Sequence, residues 1–70
     1  MNELNINQLG VGNIVGFKLN HWAKSNIHTV KILFVGDMYI VMLNLQRNEE
    51  HCVRVDLSSD RKPLFFNLES

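Results

Sequence analysis

One cysteine, one proline and four glycines in 70 residues leave this chain short of the devices that usually staple a small domain. The lone Cys52 excludes an intramolecular disulfide and suits a reducing compartment better than a secreted, cross-linked framework. No segment approaches the roughly 20 apolar residues of a transmembrane helix. The opening residues, Met1 to Asn7, also lack the basic start and apolar stretch of a secretory signal, so a cytosolic protein with no membrane partner is expected. An excess of charge of either sign is missing too. Seven basic and seven acidic residues cancel, which weakens a nucleic-acid reading, because phosphate binding usually shows as a surplus of Lys and Arg. Zero net charge also removes a barrier to self-association.

With no disulfide, a chain of 70 residues buries only about 60% of its unfolded surface and depends on very good packing or on assembly. Its apolar residues alternate more often than they recur at helical spacing, and turn signals are short and frequent, so the chain reads as all-β. Strands are expected over 13–20, 27–35, 38–45, 51–57 and 64–66. Val15, Phe17 and Leu19 share one face of the first, with Ile14, Gly16 and Lys18 on the other. Val30, Ile32 and Phe34 share a face of the second, and Val53, Val55 and Leu57 point inward on the fourth, with Cys52 and Arg54 outward. Gly36-Asp37 reads as a two-residue hairpin loop in which glycine supplies a positive φ, and Pro63 stands at the start of the last strand, where its missing N–H breaks no ladder bond. Ser58 to Arg61 reads as the turn before it. The domain plan is an arm over 1–12, in which Leu4, Ile6 and Leu9 pack as an extended segment or a frayed turn, a small β-barrel over 13–66 and a tail over 67–70. Five short strands describe a small, partly open, SH3-like barrel, with an OB-like barrel as the alternative.

Leu9-Gly10-Val11-Gly12-Asn13-Ile14-Val15 resembles the opening of SH3-like barrels, and looks most like that of short phage and prophage proteins of Bacteroidetes; Val55-Asp56-Leu57 through Lys62-Pro63-Leu64 is similar to their closing segment. The chain departs from them in stopping shortly after Phe66. The resemblance implies a mobile-element origin and offers no catalytic residue to carry over.

The residues themselves point away from catalysis and resident metal or cofactor. His51 and Cys52 are strand neighbours whose side chains face opposite ways, and a strand is expected between His28 and Cys52, so neither a metal set nor a Cys-His pair forms. Gly10, Gly12 and Gly16 precede a strand, not the helix N-terminus that a phosphate-cradling loop requires. The loop His21 to Asn26 holds the only tryptophan. Trp22 has two competing roles: a lid on a small core, favoured by the shortness of the chain, and a stacking platform beside Lys24 and Asn26. Arg47, Arg61 and Lys62 lie on loops that a barrel brings to its mouths, and with Trp22, Lys24 and Asn26 they form the expected site for an anionic ligand.

Met38 to Leu43 is an unbroken apolar run. Alternation assigns Tyr39, Val41, Leu43 and Leu45 to the core and leaves Met38, Ile40 and Met42, joined by Leu33 and Val35, as an exposed apolar patch suited to self-assembly. The expectation is a non-enzymatic, homo-oligomeric binding module of phage or mobile-element origin. Its partners would be a host protein or a small nucleotide signal of host defence. The alternatives are a nucleic-acid-binding regulator using Trp22, Lys24, Lys31 and Arg54 on one face, and a phage structural or assembly factor.

Overall fold

The computed structural model describes residues 2–56 and 61–68, and Lys24 by its backbone alone. Leu57, the residues of the turn at 58–60 and those at both extreme ends lie outside the described residues. Six antiparallel strands form one sheet in the order β1-β6-β2-β3-β4-β5: β1 (Asn2–Leu4), β2 (Ile14–Leu19), β3 (His28–Val35), β4 (Tyr39–Asn44), β5 (Glu49–Arg54) and β6 (Pro63–Asn67). The fold is all-β, as expected, and the sheet curls into a small barrel left open between β1 and β5. Five of the strands overlap the expected ones, although β5 begins two residues early, at Glu49 in the expected loop, and ends at Arg54. The sixth, β1, comes from the arm: Asn2, Glu3 and Leu4 pair with Asn67, Phe66 and Phe65. A 3₁₀ turn at Ile6–Gln8 then carries the chain to Leu9, which is buried against the core. No helix among the described residues is long and apolar enough to cross a membrane.

The core is Leu9, Val15, Phe17, Val30, Ile32, Ile40, Met42 and Phe65, with Leu4, Ile6, Leu19, Trp22, Val35, Val53 and Val55 packed on it. Val15, Phe17, Val30 and Ile32 take the face that alternation assigns them. The third expected strand does not. Ile40 and Met42, expected on an exposed patch, are fully buried, whereas Tyr39 and Leu45, expected in the core, are each 42% exposed. Val41 and Leu43 are half-buried on the outer face with Tyr39, and Met38 is exposed in the hairpin loop.

A β-bulge causes this inversion. Ile32 pairs with Met42 and Val35 with Ile40, yet only Val41 stands between those two pairs, opposite Phe34, so Leu33 is an extra residue in β3. One added residue shifts the two-residue period, turning Phe34 outward and Val35 inward. Val35 therefore joins Val30 and Ile32 on the core face and brings Ile40 and Met42 with it. Phe34, expected in the core, is 47% exposed and packs on Tyr39 with ring centroids 5.6 Å apart. The hairpin is present, but its two loop residues are Asp37 and Met38, closed by the Gly36 N–H donating to the Tyr39 carbonyl at 2.9 Å. Gly36 does not take a positive φ; among the described glycines only Gly12 does. Gly36 serves by its size, since a Cβ there would stand 2.9 Å from Cε2 of Phe34.

On β2, Gly16 and Lys18, assigned to the outer face, are buried. Ile27, Phe66 and Leu68 cover Gly16 so closely that a Cβ would lie 2.9 Å from Ile27 Cγ2 and 3.1 Å from Leu68 Cδ2. Lys18, 6% exposed, turns its ammonium back on the chain and donates to the carbonyls of Leu19, Asn20 and Trp22 at 3.1, 3.2 and 3.0 Å. Charge-assisted bonds of this kind are about twice as strong as neutral ones. They hold the loop that presents Trp22.

Candidate functional site

At one mouth of the barrel, Phe17, Leu19, Trp22, His28, Asn44, Arg47, His51, Cys52 and Val53 enclose a cavity of about 330 Å³. Its apolar floor is continuous with the core. Trp22 is half-buried, edge-on to Phe17 at 5.8 Å between centroids and tilted over His28 at 5.4 Å. Trp22 thus packs on the core, as expected of a lid, and also lines the cavity.

Asn44 organises the polar wall. It is 3% exposed and ends β4. Its Oδ1 accepts from the backbone N–H groups of Gln46 and Arg47 at 3.0 and 3.2 Å, and its Nδ2 meets His28 Nδ1 at 2.8 Å. Because Oδ1 is occupied by two donors, the amide group facing His28 is the NH₂, which can only donate. His28 Nδ1 must then be the acceptor, and in the neutral ring Nε2 carries the proton. One buried side chain thus sets the β4–β5 turn, the start of Arg47 and the tautomer of His28. That turn also needs Asn48 at φ 53°, a left-handed position that asparagine tolerates better than most residues. His51 reaches the cavity from the core-facing side of β5, with Glu49 3.7 Å away at the rim.

Of the expected ligand residues, Trp22, Asn26 and Arg47 come together with His28 around a smaller hollow that adjoins the cavity. The backbone of Lys24 lies in the adjoining 3₁₀ turn, Lys24–Asn26; its side chain is outside the described residues. Arg61 and Lys62 do not join them. Both are exposed and line no part of the cavity, because they precede β6, which is separated from β5 by β2, β3 and β4. Lys31 and Arg54 do not share a face with Trp22 either: both project from the outer side of the sheet, where Lys31 pairs with Ile14 and Leu43, and Arg54 with Tyr39. Sequence reasoning missed His28, Asn44 and His51 as site residues. The polar residue interrupting the apolar run at Asn44 was the available signal.

A second, more open hollow of about 600 Å³ is lined by Glu3, Lys18, Asn20, Trp22, Ile27, Leu64 and Phe66. Its lysine is already engaged by three carbonyls and its other charge is a carboxylate, so its chemistry does not favour an anion. Among the described residues that line the first cavity, Arg47 is the one that always carries a charge. Among the described residues, no three His, Cys, Asp or Glu side chains group as a metal site would require. His28 on β3 and Cys52 on β5 have β4 between them. No protein-family model, curated protein or solved structure matches this chain.

Proposed function

We propose that the protein is a non-enzymatic binding module that captures a small anionic nucleotide in the Trp22–Arg47 cavity. The observation that carries this reading is the joining, in one concave site, of an aromatic platform, a guanidinium and two imidazoles over an apolar floor. An indole face stacks on a base whatever its identity, worth about 1–3 kcal/mol per base. A guanidinium matches phosphate geometry. A volume of about 330 Å³ is at the low end of ligand sites, which run from about 300 to 1,000 Å³, and so fits a single nucleotide unit better than a strand. Stoichiometric capture of a nucleotide signal in a host cytosol, as an inhibitor of defence, is the role in keeping with the chain's size and its resemblance to phage proteins.

Isothermal titration calorimetry with AMP, GMP and a cyclic dinucleotide tests the reading. At least one should bind with a stoichiometry of no more than one per chain, and Trp22→Ala and Arg47→Ala should each weaken it about tenfold or more, the loss expected for one stacking or charge-assisted contact. No heat with any of the three at millimolar concentration would sink it.

A further inference from the structure

The two edges of the sheet are unlike. The β1 edge has three residues, whereas β5 offers six, pairs with β4 without a bulge and contains no proline or lysine. Long, regular edges of this kind are what proteins normally blunt, because their unpaired backbone groups are a template for another strand. The ladder shows which groups are free. Val55 N–H donates to the Met38 carbonyl, so Glu49, His51, Val53 and Val55 bond toward β4. By alternation the N–H and C=O groups of Glu50, Cys52 and Arg54 point out of the sheet.

We propose that β5 pairs antiparallel with β5 of a second copy of this chain, about a two-fold axis at Cys52. Side-chain charge selects this register from those the backbone allows. An axis at Glu50 or at Arg54 would set like charges opposite each other, one at Val53 would face Glu50 with Asp56, and one at His51 would set Glu50 opposite Cys52 and Arg54 opposite Asn48, with no opposite charges paired. The axis at Cys52 sets Glu50 of each copy opposite Arg54 of the other, on the same outer face, and exchanges backbone bonds at 50, 52 and 54. Arg54 arrives preorganised: its Nε and Nη2 hold the Asp56 carboxylate at 3.0 and 2.7 Å, leaving three further N–H donors for Glu50. The pairing is isologous and so closes at two copies, as an exposed edge otherwise would not. It also sets His51 and Val53, which line the cavity, opposite Val53 and His51 of the second copy, so the two ligand sites adjoin at the dimer axis.

Sedimentation equilibrium over 1–100 µM is the test, with circular dichroism to verify the fold of each variant. The wild-type chain should sediment at twice its 8.1 kDa. Glu50→Lys and Arg54→Glu, both at exposed positions, should each raise the dimer dissociation constant about tenfold or more by opposing like charges at two symmetric pairs. The double variant Glu50→Arg/Arg54→Glu should restore it. A monomer at 100 µM overturns the proposal, as does a dimer insensitive to Glu50→Lys or a charge swap that fails to restore association. Dissociation by Phe34→Glu, on the exposed outer face, with no effect of the charge reversals would place the interface there instead.

Discussion

Replacing Asn44 removes three hydrogen bonds at one buried point: two that close the turn after β4 and one that holds His28. A typical hydrogen bond contributes about 1 kcal/mol net, and a buried group left unpartnered costs a further share, so Asn44→Ala should lose about 2–3 kcal/mol. A domain of this size has only about 3–5 kcal/mol to lose, and each kcal/mol moves the melting temperature of such a domain by about 4–8 °C. The midpoint should therefore fall by about 8–24 °C in a thermal melt followed by far-ultraviolet circular dichroism. Asn44→Asp separates the contributions. Its carboxylate still accepts from Gln46 and Arg47 but cannot donate to His28 Nδ1, so a bond there needs the neutral ring to carry its proton on Nδ1 in place of Nε2. Nitrogen-15 spectra should therefore show the neutral His28 ring switched from the Nε2–H tautomer of wild type to Nδ1–H in the variant. A fall of less than 3 °C for the alanine variant, or a His28 tautomer that is the same in wild type and the aspartate variant, would refute the role assigned to Asn44.

Other consequences of the packing are equally specific. Ile40→Asp places a charge at a fully buried position and should abolish cooperative unfolding, whereas Phe34→Asp on the outer face should cost about 1 kcal/mol or less by denaturant titration; the opposite ranking would mean the β4 faces are reversed. Lys18→Met keeps the apolar stem but strands three carbonyls, so about 2 kcal/mol of stability should be lost and the emission of Trp22, the only tryptophan, should shift to the red; unchanged emission would show that Lys18 does not hold that loop. Gly16→Val should destabilise by about 1–3 kcal/mol, because Ile27 and Leu68 already occupy the space its side chain needs, and a neutral result would contradict that close approach. The hydrogen bond from Arg54 holds the Asp56 carboxyl below its usual range, so its contribution is present above the ordinary aspartate value and is lost as pH falls. Asp56→Asn should therefore flatten the acid limb of the stability profile below about pH 4, though only slightly for so exposed a pair.

Most of the strands were readable because each combines β-branched or aromatic residues with period-two alternation and ends at a polar turn. Which face β4 buries was not, since a bulge leaves no compositional mark. Leu33 is as apolar as its neighbours, and only the pairing of Ile32 with Met42 and Val35 with Ile40 reveals it as the extra residue. Once β3 has slipped by one, the apolar run on β4 no longer implies a surplus exposed patch: half of it is core, and the rest shares the outer face with Phe34. Trp22, Asn26 and Arg47 could be brought together from sequence because loops gather at barrel mouths. Arg61 and Lys62 could not be excluded by that reasoning: they stand at the same mouth, where the Asn20 N–H donates to the Lys62 carbonyl, but on the β6 side of it, away from the β4–β5 turn that carries Arg47. His28 and Asn44 sit on adjacent strands, and only the register of β3 against β4 brings them into contact.

Nitrogen-15 correlation spectra recorded during a titration with a mononucleotide bear most directly on the binding function. The indole N–H of Trp22 and the backbone signals of His28, Arg47 and His51 should move together and saturate, with Arg47→Ala suppressing the whole set. No movement at millimolar nucleotide, or movement confined to the outer face at Lys31, Phe34 and Tyr39, would contradict nucleotide capture in the Trp22–Arg47 cavity.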